Sequence, residues 1–162
     1  MEVKIRRIEK HEIGKLAGLA QKEMYDTTPV KEMKGWMESS GSFPYLQYFV
    51  AEGERKEVVG FIAWAVYDRY DPGVVLEIAW LAVKSEHHRK GIGRELVLKS
   101  LEEVRNYWSE QHGLALRAIM VATDEEEGVR QFYRQVLSPT WEAVIPGVWG
   151  DEGIVLLCKV YS

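Results

Sequence analysis

The chain has 162 residues, and its 21 basic and 25 acidic side chains give a formal net charge of −4, which argues against nucleic acid as the main partner. Hydrophobic residues make up 46% of the sequence, yet no apolar run approaches the roughly 20 residues that span a membrane, so we expect a globular protein without a membrane partner. The only cysteine, Cys158, excludes an internal disulfide and a cysteine-based metal site, and we therefore expect a cytoplasmic, reducing environment.

Apolar spacing in the first half of the chain predicts five elements. Charged and apolar residues alternate from Glu2 to Ile8, as in a strand, and apolar residues from Ile13 to Met24 recur at helical spacing. In chain order the elements are a strand at 2–8, helices at 11–24 and 29–38, and strands at 45–51 and 58–67. The last two strands are expected to form a hairpin around residues 52–56, which are rich in turn residues and charge.

The second half predicts six elements after a turn at Pro72 and Gly73. In chain order they are a strand at 74–83, a long amphipathic helix from Gly91, a strand at 114–122, a helix at 125–137, and a hairpin of 141–145 and 154–161 with a long connection at 146–153. The strand at 74–83 is almost wholly apolar except for Glu77, which indicates burial on both faces. Because no linker or repeat interrupts these elements, we expect one mixed α/β domain over residues 1–162.

The segment that leads from the strand at 74–83 into the helix at Gly91 has the layout of an anion site. A helix N-terminus exposes unpaired backbone N–H groups and carries partial positive charge. Gly91 and Gly93 lack Cβ atoms, so an anion can approach their backbone closely. A solvated basic loop before an ordinary helix is the alternative. The segment lacks the lysine pattern of a P-loop and the third glycine of a dinucleotide-binding fingerprint.

This segment also resembles a known family, the GNAT superfamily of acetyltransferases. The family's main motif, Gln/Arg-x-x-Gly-x-Gly/Ala, follows a strand and opens a helix, and the matching run here is His88-Arg89-Lys90-Gly91-Ile92-Gly93. His88 stands where the family usually has Gln or Arg, so we expect altered rather than lost cofactor contacts at that position. The element order resembles the family's over nearly the whole chain. The resemblance implies a single GNAT-like α/β (α+β) domain with a mixed, mostly antiparallel sheet of about seven strands and about four helices.

By that resemblance the chain uses acetyl-CoA as co-substrate. The backbone around Leu81, Ala82 and Val83 is expected to pair with the pantetheine arm, and the amides from Arg89 to Arg94 are expected to hold the pyrophosphate. The implied cofactor-binding residues are Leu81, Ala82, Val83, His88, Arg89, Lys90, Gly91, Ile92, Gly93, Arg94 and Asp124. Asp124 stands where many members have an Asn that contacts pantetheine, and an aspartate helix cap explains it equally well. The four histidines show no metal-ligand spacing, so we expect no metal.

Glu77 is the candidate general base. It is the only charged residue between Val74 and Val83, and strand alternation puts it on the face of Ala79, Leu81 and Val83. Burial is expected to raise its pKa and make it a better proton acceptor. Some GNAT members carry a glutamate base at this distance before the glycine motif. A glutamate in a structural ion pair with an arginine, or one that reaches the sheet edge, is the alternative.

Tyr133 is the candidate general acid. The Phe132–Tyr133 pair resembles the family's second motif, in which a tyrosine near the cofactor sulfur protonates the departing thiolate. A core tyrosine at helical spacing is the alternative. The family usually has Gly-Phe soon after this helix, whereas residues 137–141 read Leu-Ser-Pro-Thr-Trp here, and this departure puts the helix end in question.

The acceptor is expected to be a primary amine, either of a small molecule or of a protein. Candidate aromatic residues around the acceptor are Tyr25, Trp36, Phe43, Tyr45, Tyr67, Tyr70 and Trp149, and candidate acids are Glu32, Glu38, Asp68, Asp71, Asp151 and Glu152. Two other classes stay open, a non-catalytic acyl-CoA-binding domain and a nucleotide-binding protein that uses the same helix terminus. A homodimer through the final hairpin is a further prediction.

Overall fold

The computed structural model describes residues 2–24, 27–39, 43–70, 72–123, 126–149 and 152–161. Within these ranges the chain forms seven strands, four α-helices and two short 3-10 helices. In chain order they are β1 (Lys4–Arg7), a 3-10 helix (Lys10–Glu12), α1 (Ile13–Glu23), α2 (Val30–Ser39), β2 (Leu46–Glu52), β3 (Val58–Tyr70), β4 (Gly73–Val83), a 3-10 helix (Ser85–His87), α3 (Ile92–His112), β5 (Ala115–Thr123), α4 (Glu127–Leu137), β6 (Trp141–Trp149) and β7 (Glu152–Val160). Each predicted helix and strand is therefore present, with ends shifted by a few residues.

The strands form one seven-stranded sheet in the order β1-β2-β3-β4-β5-β7-β6. β1 pairs with β2, β5 with β7, and β6 with β7 in antiparallel ladders. β4 and β5 pair in parallel, because α3 carries the chain back across the sheet between them. Their ladder runs from Gly73 opposite Ala115 to Glu77 opposite Met120 and ends there. The predicted fold class, with its mixed sheet and four helices, is confirmed.

The predicted long connection at 146–153 is wrong. β6 extends to Trp149 and β7 begins at Glu152. Proline and glycine suggest a loop, but β6 is the last strand in the sheet order, and an edge strand tolerates a proline that cannot donate to a ladder. The register against β7 shifts between Ile145 and Trp149, the stretch that contains Pro146 and Gly147.

The chain divides into two compact units, and the first comprises residues 1–64 and 80–104. A buried hydrogen bond connects β3 and α3 in this unit, since Trp64 donates its indole N–H to Ser100 Oγ at 2.7 Å. The Ser100 hydroxyl in turn donates to the carbonyl of Leu96, one helical turn earlier. The largest fully buried side chains of this unit are those of Leu16, Met33, Met37, Phe49, Phe61, Ile62, Trp64, Ile92 and Leu96.

The second unit comprises residues 65–79 and 105–162. Trp108 and Ile119 are fully buried in it, together with Val155 and Leu157 of β7. On its surface, Glu142 of β6 accepts hydrogen bonds from two arginines of α4: Arg130 at 2.7 Å and Arg134 at 2.9 Å. These charge-assisted bonds hold the pKa of Glu142 down at about 2.

β4 is buried on one face only, which corrects the prediction of burial on both faces. Val74, Leu76, Ile78 and Ala82 are buried, and Trp80 of the same set is partly exposed. Every described position of the alternate set, from Val75 through Glu77 to Val83, is partly exposed. A strand between two neighbours in a sheet satisfies its backbone whether or not both faces are covered, so the apolar sequence alone cannot reveal the open face. No helix in the described part of the chain is long and apolar enough to cross a membrane.

Candidate functional site

The glycine motif forms a turn in which the backbone angle φ alternates between positive and negative values. Arg89 has a φ of 59° and Gly91 a φ of 81°, with Lys90 between them outside the left-handed region. Alternation of right- and left-handed residues turns successive N–H groups toward one side and creates a concave anion site. α3 then begins at Ile92, with its first helical hydrogen bond from the N–H of Glu95 to the carbonyl of Gly91 at 3.0 Å.

Six consecutive backbone amides of this turn have no acceptor among the described residues. They are the N–H groups of Arg89, Lys90, Gly91, Ile92, Gly93 and Arg94. The last three belong to the first turn of a 21-residue helix, where the aligned peptide dipoles contribute partial positive charge. A Cβ built on Gly91 would meet no atom within 4 Å, so the space over this backbone is open. The turn can therefore bind a diphosphate through its main chain.

The basic side chains of the loop divide into two groups. Lys90 turns back on the loop, and its Nζ donates to the Glu86 carbonyl at 3.0 Å and lies 3.2 Å from His87 Nδ1. Arg89 and Arg94 are exposed and make no described hydrogen bond or ion pair, so their guanidinium groups can reach a bound anion. Among the described side chains of the loop, Arg89 and Arg94 are therefore the ones that can add charge beside a bound phosphate.

His88, the departure from the family motif, ties the loop to the end of β4. Its Nε2 lies 2.7 Å from the carbonyl oxygen of Val83, so the imidazole donates a hydrogen bond across the loop. A glutamine side chain can make the same bond through its amide, although with different reach. The bond occupies one lone pair of the carbonyl of Val83, which is one of the residues expected to pair with pantetheine.

The end of β4 offers backbone groups next to this turn. The described ladder between β4 and β5 ends at Glu77, six residues before β4 ends at Val83. Beyond that point the edge of β4 has no β5 partner in the described ladder, so the N–H and C=O groups around Leu81 can pair with an extended ligand. Leu81 and Val83 are partly exposed and Ala82 is buried, as strand alternation requires.

Glu77 occupies the last position of β4 that pairs with β5 and is partly exposed. Burial raises the pKa of its carboxyl above the ordinary value, and the desolvation of the charged form is the cause. No ion pair of Glu77 exists among the described residues, so the alternative of a structural arginine pair finds no support. A carboxylate with a raised pKa and open access is suited to accept a proton.

Tyr133 lies in the second half of α4 and is 7% exposed. Its ring meets the ring of Phe132 edge-on, with 5.1 Å between centroids. α4 ends at Leu137, and Ser138 caps it in the left-handed conformation, with its N–H donating to the carbonyl of Arg134 at 3.1 Å. The departure of the sequence from the family's Gly-Phe at this point is therefore compatible with an ordinary helix end.

The other predicted site residues divide by whether the structure describes them. Asp124, Tyr25, Asp71 and Asp151 lie outside the described residues, as do the side chains of Tyr70, Trp149 and Glu152. Trp36, Phe43, Tyr45 and Tyr67 are exposed by 44%, 52%, 51% and 60% respectively, which is unusual for aromatic side chains. Within the described ranges no group of three or more His, Cys, Asp or Glu side chains can hold a metal ion.

Gly60 is a residue of this region that sequence reasoning missed. A Cβ at this position would lie 2.9 Å from the carbonyl oxygen of Ala82, 3.1 Å from Val83 Cγ2 and 3.2 Å from Leu96 Cδ1. Glycine therefore permits β3, β4 and α3 to approach one another directly behind the predicted pantetheine-binding strand. A lone glycine inside a strand pattern is the sequence signal for such a close approach.

Comparison with known proteins identifies the family. Residues 44–136, more than half of the chain, match the family model of the acetyltransferase (GNAT) domain. No curated protein matches the sequence.

Solved structures agree in fold. A GNAT-family protein from Desulfovibrio desulfuricans has 15% identity and a TM-score of 0.75, with coverage of 98% of this chain and 99% of that one. The ribosomal-protein-S18-alanine N-acetyltransferase from Escherichia coli has 15% identity and a TM-score of 0.70, covering 99% and 95% of the two chains. An aminoglycoside 6′-N-acetyltransferase complexed with coenzyme A has 19% identity and a TM-score of 0.71, covering 97% and 96%. The chain belongs to the GNAT family of acetyltransferases.

Proposed function

We propose that this protein transfers the acetyl group of acetyl-CoA to a primary amine by direct attack, with Glu77 as general base and Tyr133 as general acid. The observation that carries the proposal is the row of six unpaired amides from Arg89 to Arg94 at the start of α3. Membership in the GNAT family and the similarity to an acetyltransferase complexed with coenzyme A support it.

The residues of the turn fit the phosphates of the cofactor. The N–H groups from Arg89 to Arg94 can donate hydrogen bonds to a pyrophosphate, for which the open space over Gly91 leaves room. The exposed guanidinium groups of Arg89 and Arg94 add mobile positive charge. The free edge of β4 around Leu81 offers strand-like hydrogen bonds to the pantetheine amides. When bound, acetyl-CoA supplies an acetyl group activated as a thioester.

Glu77 is proposed to remove the proton that the attacking amine must lose. A primary ammonium is not nucleophilic, and a lysine side chain or a polyamine with a pKa of about 10 is almost wholly protonated near pH 7. The raised pKa of Glu77 brings its basicity closer to the working pH, which makes the carboxylate a better proton acceptor. The proton from nitrogen ends on a carboxylate oxygen of Glu77, directly or through a water molecule.

Tyr133 is proposed to supply the proton that the leaving sulfur takes up. As the new bond between nitrogen and the acetyl carbon forms, the bond between that carbon and sulfur breaks and the electron pair leaves with sulfur. The phenolic hydroxyl at Oη donates the proton that yields the neutral thiol, and the second proton that the nitrogen loses as the amide forms returns to the phenolate. The burial of Tyr133 limits competition from solvent at this step.

Transfer to an amine distinguishes this proposal from a non-catalytic acyl-CoA-binding domain. The test is release of free CoA thiol from acetyl-CoA over a panel of amines: a peptide with an N-terminal alanine, an aminoglycoside, spermidine and a lysine peptide. Acceptor-dependent thiol release that is lost in Glu77→Gln supports the proposal. Saturable acetyl-CoA binding without turnover on any amine would favour a binding domain, and stabilisation by ATP or NAD but not by acetyl-CoA would reject the cofactor assignment. Homodimerisation through the β6–β7 hairpin stays a prediction.

A further inference from the structure

A cavity of about 470 Å³ lies in the first unit beside α1. Its lining comes from α1, from the turn between β2 and β3, and from the residue that follows β4. Among the described lining residues four are lysines, namely Lys15, Lys22, Lys56 and Lys84, and Glu57 is the only acid. The volume falls within the range of about 300–1,000 Å³ that small-molecule sites occupy. None of the residues from Arg89 to Arg94 lines it, but Lys84 directly follows Val83 of β4, so a test of the cavity must keep the cofactor turn occupied.

The lysines of this cavity have few charged partners, but Lys15 lies close enough to Glu12 to help lower the pKa of that carboxyl. Lys22 has an ion pair with Glu23 at 3.8 Å, whereas Lys15, Lys56 and Lys84 have none among the described residues. Four ammonium groups surround this one cavity although the chain as a whole has a net charge of −4, so the local charge has the opposite sign to the net charge. Like charges around a shared concavity raise its potential and attract anions.

The turn between β2 and β3 presents its lysine in an unusual conformation. Lys56 has a φ of 60°, and its N–H donates to the carbonyl of Gly53 at 3.0 Å. Glycine or asparagine fills a left-handed position of this kind with less backbone strain. The side chain of this lysine lines the cavity.

Glu57 leaves an acceptor unused at the cavity wall. Its carboxylate lies so close to Gly53 that a Cβ there would be 2.5 Å from Glu57 Oε1. The other oxygen, Oε2, is buried and has no hydrogen-bond partner among the described residues, which leaves its desolvation uncompensated. Because Glu57 lines the cavity, rotation of its side chain would bring this oxygen to a ligand that carries an O–H or N–H group beside its anionic groups.

We propose that this cavity is a second ligand site, which binds a small polyanion with two or more phosphate or carboxylate groups and a hydroxyl or amine donor. Lysine ammonium groups act as mobile point charges toward such groups, and several of them on separate elements can meet one ligand from different sides. Gly18 of α1 also lines the cavity, and a Cβ built there meets nothing within 4 Å, which leaves room for the ligand.

Calorimetric titration of the full chain, saturated with CoA to occupy the cofactor turn, tests the site. The probes are citrate, tripolyphosphate, and tricarballylate, which is citrate without its hydroxyl group. We expect saturable binding of one citrate or tripolyphosphate per chain. Binding of either polyanion supports the site, and stronger binding of citrate than of the more highly charged tripolyphosphate identifies a carboxylate ligand. At least about fivefold weaker binding of tricarballylate than of citrate supports the donor to Glu57, whereas equal binding of the two would remove it from the proposal.

Two pairs of variants separate this cavity from general charge effects. Lys15→Gln/Lys56→Gln is expected to weaken binding at least about tenfold, while Lys4→Gln/Lys99→Gln, beside a cavity of about 540 Å³ that also contains three glutamates, is expected to leave it unchanged. Gly18→Phe fills the lysine cavity without a charge change and is expected to abolish binding. Gly35→Phe, at another open helix position, is the control.

Three results would overturn the proposal: no saturable binding by either polyanion, equal weakening in both lysine double variants, or unchanged binding in Gly18→Phe when circular dichroism shows a native fold. Binding to the CoA-free chain that is lost once the chain is saturated with CoA would equally overturn it, because the anion would then occupy the cofactor turn. None of these outcomes depends on acetyl transfer.

Discussion

Replacement of Gly91 by alanine isolates the backbone conformation of the proposed phosphate site from its side chains. The added methyl meets no atom within 4 Å, so the substitution introduces no clash. It does penalise the φ of 81°, since an L-residue pays about 1–2 kcal/mol in the left-handed region. If the turn relaxes and loses even one charge-assisted hydrogen bond to the pyrophosphate, worth about 1.5–3 kcal/mol, acetyl-CoA binding weakens about 10- to 150-fold.

Gly113→Ala is the matched control for this prediction. Gly113 follows α3, has a φ of 66° and likewise has open space at its Cβ. Both variants are expected to lose a similar 1–2 kcal/mol of unfolding free energy in urea, approximately the left-handed penalty. Calorimetric titration with acetyl-CoA is expected to show weakened binding only in Gly91→Ala. Wild-type affinity in Gly91→Ala, or equal weakening in both variants, would refute the reasoning that the left-handed backbone at Gly91 builds the phosphate site.

Other substitutions test the catalytic roles and the fold. Glu77→Gln is expected to lower kcat about 10²- to 10⁴-fold with little change in acetyl-CoA affinity. The wild type loses its base as the pH falls through the raised pKa of Glu77, so the acid limb of the pH–kcat profile should be absent in the variant. An unchanged profile would remove Glu77 from the role of base. Tyr133→Phe is expected to slow transfer about 10²-fold with a native thermal transition, and unaltered kcat would leave the ring a purely structural role. Gly60→Ala should weaken cofactor binding and lower the melting temperature together, since a Cβ would lie 2.9 Å from a β4 carbonyl oxygen, and a wild-type melting curve would argue against that close approach. Glu12 pairs with Arg6 at 2.8 Å and has a pKa of about 2 instead of its ordinary 4.5, so Glu12→Gln is expected to cost about 3 kcal/mol in urea unfolding at pH 7. The lowered folded-state pKa means that this stability is complete above about pH 4.5 and is lost as pH falls toward 2, so the difference between the two proteins should shrink in acid; a constant difference would contradict the linkage.

Periodicity predicted the elements well because most of them are amphipathic. The helix from Gly91 and the hairpin around residues 52–56 show clear patterns, and both are present. The connection at 146–153 was mispredicted because Pro146 and Gly147 interrupt the pattern locally, while the place of β6 at the sheet edge, which tolerates them, depends on the whole topology. The open face of β4 likewise depends on what packs over the strand rather than on its own residues.

The candidate site was predictable in its residue types but not in its contacts. The glycine motif predicts an anion turn, and the six unpaired amides agree with it. The sequence did not predict that Arg89 adopts the left-handed conformation. Residues other than glycine seldom do so, and no residue type beside Arg89 indicates it. The bond between His88 and the Val83 carbonyl was also missed, since it depends on the path of the loop.

The buried bond between Trp64 and Ser100 has a consequence for the start of α3. Ser100 lies eight residues after Ile92, about 12 Å along the helix axis. A slip of α3 by one residue against β3 would rotate its first-turn amides by about 100° and turn them away from any ligand on the glycine turn. Because a hydrogen bond is directional, the bond from Trp64 permits only one rotation of α3 about its own axis. Apolar contacts alone would permit several. The hydrogen bond between Trp64 and Ser100 therefore fixes the direction in which the first-turn N–H groups, two turns earlier in α3, point.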